Sequence, residues 1–400
     1  MRNKKFYNIL MYSHDTYGLG HIRRTLALAS RFRNSETNVL ILTGSPIAGR
    51  FSLPDHIDFV RIPGMIKKTN EEYLPLSIKI NPGHALNIRK HIISATVKSF
   101  HPQLVIVDKE PLGLRKEVEP TLKWLQKNSP RTKTVLGLRD IMDDAGTVIA
   151  SWQDKDIYEA LDKYYGEIWV YGIQDFYNPI QEYEIPEQIA KKMYFTGYIP
   201  RQVRSRREGD RERVRHRIGK EEKLILVTTG GGGDGYPVMD TYLSMLERMG
   251  HDNPYRSVLI TGPFMPKAQR MNILKRAKKV NTLVFHFYRQ MEKIIAASDL
   301  VISMGGYNTL CELMSQKKVS LLIPRETPRM EQTLRAQCFK DRNLLDYIPW
   351  RELSAQRFQD HIETMLQQKD RYRENMSKFK MTGFDVIQQR IQTFQDKIKR

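Results

Sequence analysis

The sequence predicts an α/β protein made of two consecutive doubly wound domains, on three observations. Short apolar runs of five to eight residues alternate with longer amphipathic segments along most of the chain. The alternation completes one cycle, passes an arginine-rich stretch and starts again. The 400 residues are more than one hydrophobic core ordinarily serves.

In the first cycle, strands are expected at FYNILMY (6–12), NVLILTG (38–44), FVRIP (59–63), QLVIVD (103–108), TVLGL (134–138), EIWVYG (167–172) and KMYFTGY (192–198). Continuous apolar runs of this length suit parallel strands buried on both faces. Helices fit between them at 21–33, 82–99, 115–127 and 154–164. The stretch RQVRSRREGDRERVRHR (201–217) is polar and helical in part, and 199–222 is read as a basic interdomain passage. The second cycle is more regular. Its strands are LILVTTG (224–230), RSVLITGP (256–263), TLVFHF (282–287), LVISM (300–304) and VSLLIP (319–324). Its helices are 237–249, 266–279, 290–297, 306–316 and 329–341. The domains expected are therefore 1–198 and 223–370, with a helical tail over 371–400. The opening residues read as a first strand rather than a signal peptide, since no small-residue cleavage site follows the short apolar run. No run approaches 18 apolar residues, so no transmembrane helix is expected.

Two cysteines, Cys311 and Cys338, cannot make a disulfide framework, and a reducing cytoplasmic setting is the default. The formal net charge of +20 points to an anionic partner. Residues 1–100 hold fifteen basic against six acidic residues, and 201–217 hold eight arginines against three acids. Nucleic acid, an anionic membrane face and phosphorylated small molecules all fit such a charge. The arginine run has no interleaved aromatic residues for base stacking, so no nucleic-acid partner is expected.

Three strand ends in the second cycle carry the chemistry. TTGGGGDGYPVM places four glycines, Gly230, Gly231, Gly232 and Gly233, between a strand and a helix. Four glycines cost conformational entropy. Before a helix N-terminus they make an anion cradle of backbone N–H groups. The pattern is neither G-x-G-x-x-G with a downstream acid nor a P-loop. SMGGYNTLCELMS brings Gly305 and Gly306 to the start of a second helix, with Thr309 and Glu312 on one helical face. A glutamate one turn inside can accept two hydrogen bonds from a ribose diol. IPRETPRMEQTLRA crowds Arg325, Arg329, Glu331 and Gln332 at a third strand end. The arginines suit phosphate as forked donors, and Glu331 and Gln332 suit sugar hydroxyls. All three turns fall at the carboxyl edge of one sheet, where open α/β sheets bind ligands.

GGGGDG, FHFYRQM, SDLVISMGGYNTLCE and PRMEQTLRA resemble the nucleotide-sugar domain of GT-B glycosyltransferases, most closely family 28, over about 223–345. The resemblance implies two Rossmann-like domains facing each other across a cleft. It implies that the 230–233 loop faces the donor diphosphate, with Gly305, Gly306 and Thr309 nearby. The Phe287–Tyr288 backbone would hold the nucleobase and Glu312 the ribose. Glu331 and Gln332 match the pair that reads donor-sugar hydroxyls. Here that pair begins with Glu in place of an amide, so the donor sugar is expected to differ. In the N-terminal domain, DTYGLGHIRR (15–24) resembles the family's first glycine-rich turn, with Gly18, Gly20 and His21 matching. Gly18 and Gly20 are counted with the donor-diphosphate candidates.

A histidine there suits removal of a proton from an acceptor hydroxyl, because its pKa lies near neutrality. A helix N-terminus disfavours its cationic form. His14 is a second candidate. Asp108, Glu110, Arg139 and Asp140, at two further strand ends, are candidates for contacting the acceptor or orienting His21, and a carboxylate paired to the imidazole would raise its basicity.

The reaction expected is an inverting transfer from a nucleoside-diphosphate sugar, with UDP the expected nucleotide. His21 is the general base, and the acceptor is a saccharide, a lipid-linked molecule or a small molecule. No cofactor and no metal are expected: there is no D-x-D pair, and the glycine loop and helix dipole serve the leaving diphosphate. Family relatives act on lipid-linked acceptors at the cytoplasmic leaflet, and a basic N-terminal domain suits peripheral contact with an anionic membrane. A rival reading starts from Gly18, Gly20, His21 and Arg24. That string also resembles nucleotide-sugar hydrolases of the pseudaminic acid pathway, which share the fold and activate water with the same histidine.

Overall fold

The computed structural model describes residues 6–15, 20–32, 36–67 and 73–399. The chain forms two compact units. The first comprises Met1–Asp140, Ala145–Ile199 and Thr382–Arg400, and the second Ile141–Asp144 and Pro200–Met381.

The strands of the first unit are β1 (Tyr7–Ser13), β2 (Thr37–Thr43), β3 (Ile57–Arg61), β4 (Met65–Lys67), β5 (Tyr73–Pro75), β6 (Leu104–Asp108), β7 (Lys133–Arg139), β8 (Glu167–Tyr171) and β9 (Met193–Phe195). Seven of them form one parallel sheet in the order β3-β2-β1-β6-β7-β8-β9. Tyr7 lies opposite Thr37 on one side of β1, and Ile9 opposite Leu104 on the other. The central strands are apolar on both faces. Ile9, Leu10, Met11, Val105 and Ile106 are each at most 2% exposed, as helices on both sides require. The strand order reverses between β1 and β6. Loops leaving these two strands diverge, opening a crevice outside their carboxyl ends. The helix Gly20–Phe32 follows β1 and buries Ile22, Thr25, Leu28, Ala29 and Phe32, a stripe at helical spacing. The helix Pro82–Phe100 starts with proline in its first turn and with Asn81 accepting from the Gly83 N–H at 2.8 Å.

The second unit repeats the plan with β10 (Lys223–Thr228), β11 (Tyr255–Ile260), β12 (Thr282–Phe285), β13 (Leu300–Ser303), β14 (Ser320–Leu322) and β15 (Asp346–Tyr347). They form a parallel sheet in the order β12-β11-β10-β13-β14-β15, so the reversal falls between β10 and β13. Its core packs Ile225, Val227, Leu300 and Ile302 against Val238, Tyr242 and Leu246 of the helix Tyr236–Met249.

Several elements depart from the sequence expectation. β4 and β5 form a separate antiparallel pair that no periodicity announces, since each has only three residues. The helix Ala145–Asp154 precedes Ile157–Tyr164, where one helix at 154–164 was expected. Its Gly146 and β-branched residues lower local propensity, and burial of Val148 and Trp152 supplies what propensity does not.

The arginine stretch belongs to the second unit and is not a free linker. Ser205 and Glu208 make a capping box at the helix Arg206–Arg215. Arg213 donates to the Ala297 carbonyl at 2.8 Å and the Gly219 carbonyl at 3.0 Å, while Arg204 reaches Glu292 at 2.9 Å. The tail divides too. The helix Lys369–Lys378 stays with the second unit, and Gly383–Lys399 returns to the first. There Arg390 pairs with Glu167 and lies 4.0 Å from the Tyr194 ring centre. Among the described residues no helix is long and apolar enough to cross a membrane.

Candidate active site

In the first unit, the candidate groups gather where the strand order reverses. β1 ends at Ser13, and His14 and Asp15 follow directly. Gly18 lies outside the described residues; Gly20 is the first residue of the next helix and His21 the second. Asp108 is the last residue of β6. These positions bring the His21 Nδ1 to 2.5 Å from the Asp108 Oδ2. Arg24, one turn after His21 on the same helix face, donates to the other carboxylate oxygen through Nε at 3.2 Å and also through Nη2. Arg24 is 2% exposed, and its guanidinium lies 5.6 Å from the centre of the Tyr171 ring.

The electrostatics follow from this packing. Burial alone would raise the Asp108 pKa, but the Arg24 guanidinium and the His21 imidazole hold it well below the usual carboxylate range. Burial pushes the His21 pKa down to about 4, against the pull of Asp108 and with Arg24 adding to the fall. A paired carboxylate was expected to raise the basicity of His21; desolvation and the second cation outweigh it. At neutral pH His21 is uncharged. Its Nδ1–H goes to the carboxylate, which leaves the lone pair on Nε2. The side chain keeps 16% of its surface exposed, so the ring is not sealed off. A neutral imidazole held this way can accept a proton at Nε2.

The other first-unit candidates divide. The His14 ring stands edge-on to His21 at 5.8 Å between centres, and burial pushes its pKa down to about 3. Glu110 makes an ion pair with Lys109 at 3.1 Å. Asp140, fully buried, accepts from the Tyr198 hydroxyl. Arg139 is the last residue of β7 and half-buried. Neither Asp140 nor Arg139 has a described hydrogen bond to His21.

In the second unit, two glycine turns lie at the corresponding reversal. Gly230–Gly233 follow β10, and Gly305–Gly306 follow β13. Gly232 has φ +85, and a Cβ on it would come within 1.9 Å of the Thr261 carbonyl oxygen beyond β11. Only glycine lets these two turns touch there. The Phe264 N–H, from the same turn after β11, donates to the Gly231 carbonyl at 2.8 Å and ties the two turns together. Gly230, Gly231 and Gly233 remain exposed ahead of the helix Tyr236–Met249. Gly306 caps the helix Tyr307–Ser315, which carries half-buried Thr309 and buried Glu312.

The third strand end is tied to the glycine loop. Arg325 Nη1 meets Asp234 Oδ2 at 2.6 Å, and its Nη2 lies 3.8 Å from Glu331. The Gln332 side chain accepts from the Arg325 N–H at 3.2 Å. Arg329 lies 3.8 Å from Asp143, whose carboxylate also accepts from the Met330 N–H at 2.7 Å. The fully buried Arg335 reaches toward the Gly305 carbonyl at 3.5 Å. Phe287 is 58% exposed, whereas the Tyr288 hydroxyl is engaged by Glu212 and by His216 at 2.6 Å. Tyr288 is therefore left with its backbone for any base contact.

The sequence names Arg24 only within the Gly18, Gly20, His21 and Arg24 string; its contact with Asp108 was not foreseen, although the i+3 spacing from His21 marks the same helix face. Asp234 was not foreseen at all, having no signal beyond following the glycines.

Residues 224–391 match the family model described as glycosyltransferase family 28 C-terminal domain. A UDP-N-acetylglucosamine--N-acetylmuramyl-(pentapeptide) pyrophosphoryl-undecaprenol N-acetylglucosamine transferase of Streptococcus thermophilus is 26% identical over 166 residues, covering 40% of this chain and 42% of that protein. Its namesake in Bacillus cytotoxicus is 25% identical over 150 residues, 37% and 41% of the two chains. The match thus spans about two fifths of these relatives' length. Among solved structures, a UDP-glucosyltransferase from Polygonum tinctorium superposes with a TM-score of 0.66 at 12% identity, over 98% of this chain and 99% of that one. Acinetobacter baumannii MurG gives 0.62 at 12% identity, over 97% and 99%. At such identities the superpositions speak for the fold, and that fold is GT-B. The chain therefore has the GT-B fold, and its residues 224–391 are similar to the glycosyltransferase family 28 C-terminal domain and, distantly, to the same region of the N-acetylglucosamine transferases.

Proposed function

We propose that this protein is an inverting, metal-independent glycosyltransferase that moves a sugar from a UDP-sugar to an acceptor hydroxyl. The observation that carries the reading is the His21–Asp108 contact, with Arg24 on the same carboxylate, at the strand reversal of the first unit. The second unit takes the donor. Its 230–233 and 305–306 turns offer backbone N–H groups and two helix N-termini to the diphosphate, and Glu312 takes the ribose. Arg325, Glu331 and Gln332 read the sugar.

In the reaction, the acceptor O–H gives its proton to the His21 Nε2. The freed oxygen pair forms a bond to the anomeric carbon from the face opposite the leaving group. The bond from that carbon to the diphosphate oxygen breaks, and UDP leaves with the electron pair. Asp108 stabilises the imidazolium so formed, and the glycine loop stabilises the charge on UDP. The surplus of basic residues in the first hundred fits acceptors presented at an anionic leaflet.

The test is a panel of UDP-sugars incubated with and without candidate acceptors, following UDP release. Transfer predicts acceptor-dependent release that the His21→Ala variant loses. The same constellation can activate water. Prompt release without any acceptor, lost equally in His21→Ala, would make the protein a nucleotide-sugar hydrolase instead.

A further inference from the structure

Behind His21 lies a second chain of buried polar groups that general-base chemistry at His21 does not require. Arg89 occupies a core position on the buried stripe Ala85, Arg89, Ile93, Val97 and is fully buried. It donates to Glu117 through Nε at 2.6 Å and Nη2 at 2.5 Å, and through Nη1 to the Pro63 carbonyl at 2.5 Å. Room for it is kept by Gly44, where a Cβ would come within 2.9 Å of Nη1. Glu117, also fully buried, accepts from the Tyr12 hydroxyl at 2.6 Å. The Tyr12 oxygen accepts from the Leu114 N–H at 3.3 Å and lies 3.5 Å from the His14 Nδ1. Removing a carboxylate and a guanidinium from water is costly, so an apolar core would serve folding at least as well.

The polarity of this chain is determined by its far end. Facing a forked arginine, the Glu117 carboxylate offers acceptors only. The single Tyr12 proton must therefore go to Glu117. Burial raises the Tyr12 pKa well above its ordinary value, so that proton stays on the phenol. What the Tyr12 oxygen offers His14 is a lone pair, and the complementary partner is a protonated Nδ1.

We propose that Tyr12, held by Glu117 and Arg89, is a positioning residue that fixes His14 as its Nδ1–H tautomer, so that His14 presents an Nε2 acceptor beside that of His21. The site then carries two neutral imidazoles of the same tautomer. His21 takes the proton of the attacking hydroxyl, and His14 accepts a hydrogen bond from a hydroxyl of the acceptor. The tautomer assignment stands without the proposed transfer reaction; the role toward the acceptor rests on it.

Imidazole 1H–15N correlation spectra of the 15N-labelled full chain, without substrate, test this. A His14→Gln variant assigns the signals. The expected result is His14 protonated on Nδ1. In Tyr12→Phe, the Nδ1–H to Nε2–H ratio should fall at least tenfold while His21 keeps its tautomer. Glu117→Gln gives the same readout should Tyr12→Phe fail to fold. A wild-type His14 found mainly as the Nε2–H tautomer overturns the proposal, whether or not the protein transfers sugar. In a UDP-release assay, Tyr12→Phe should lower turnover about tenfold with UDP affinity unchanged within twofold. Full turnover in a variant with altered His14 tautomer removes the acceptor role and leaves the transfer reaction standing.

Discussion

Arg24 and Asp108 set how His21 behaves, and each makes a prediction of its own sign. Arg24 depresses the His21 pKa, so Arg24→Gln should raise it above about 4 and move the acid limb of turnover to higher pH. An NMR titration of His21 reads the same shift without needing the substrate; a downward shift would contradict the assignment. Asp15 offers a stability test. It is 6% exposed, accepts from Thr43, and burial pushes its pKa up to about 6. Between about pH 4 and 6 the folded chain then binds a proton the unfolded chain has lost. Its contribution therefore falls as pH rises through that window and remains a cost above it. Asp15→Asn is expected to stabilise the protein by about 1–3 kcal/mol near pH 7.5 and by little below about pH 4, checked by denaturant melts at both pH values. The meeting of His21 with Asp108 was legible in part: the resemblance of the first glycine turn singled out His21, and Asp108 was one of four strand-end candidates for orienting it. Asp15 and Arg89 were not legible, because what distinguishes them is burial. The only trace of Arg89 in sequence is an arginine on an apolar i+4 stripe.

The glycine loop shows an element whose residue types are imposed by a neighbour. Gly232 approaches the turn after β11 so closely that Gly232→Ala must displace one of the two turns. That variant should lose at least about 2 kcal/mol of stability, or keep its fold with the loop moved and UDP binding lost. A thermal melt with and without UDP separates these, and an unchanged melt with unchanged binding would contradict the packing described. Four glycines in a row were readable as a turn at a strand end. Their contact with the turn after β11 was not, because a single sequence does not pair two loops thirty residues apart. Strands β10 to β14 were readable within a few residues, since parallel burial makes their apolar runs continuous. β4, β5 and β15 are too short to carry a period.

At the scale of the whole molecule, the chain leaves its second unit to finish in the first. The helix Gly383–Lys399 contributes Arg390 to Glu167 and Tyr194, and Thr382 donates to the Thr196 carbonyl at 2.9 Å. Truncation after Met381 should therefore lower the melting of the first unit while leaving UDP-induced stabilisation of the second. With two units, two thermal transitions are the expected signature of that variant. Loss of UDP stabilisation in the truncated chain would contradict this division. Two domains were legible from length and from the repeated alternation. The return of the tail was not, because its amphipathic helix suits either unit and only the partners of Arg390 decide.

Calorimetric titration of UDP tests the central claim most directly, because it needs neither the donor sugar nor the acceptor. The wild-type chain is predicted to bind UDP at one site. His21→Ala should retain that affinity within a few-fold, and Glu312→Ala should lose at least tenfold, about 1.4 kcal/mol. A wild-type protein that binds no UDP, or a Glu312→Ala variant that binds it undiminished, would contradict the assignment of the donor to the second unit.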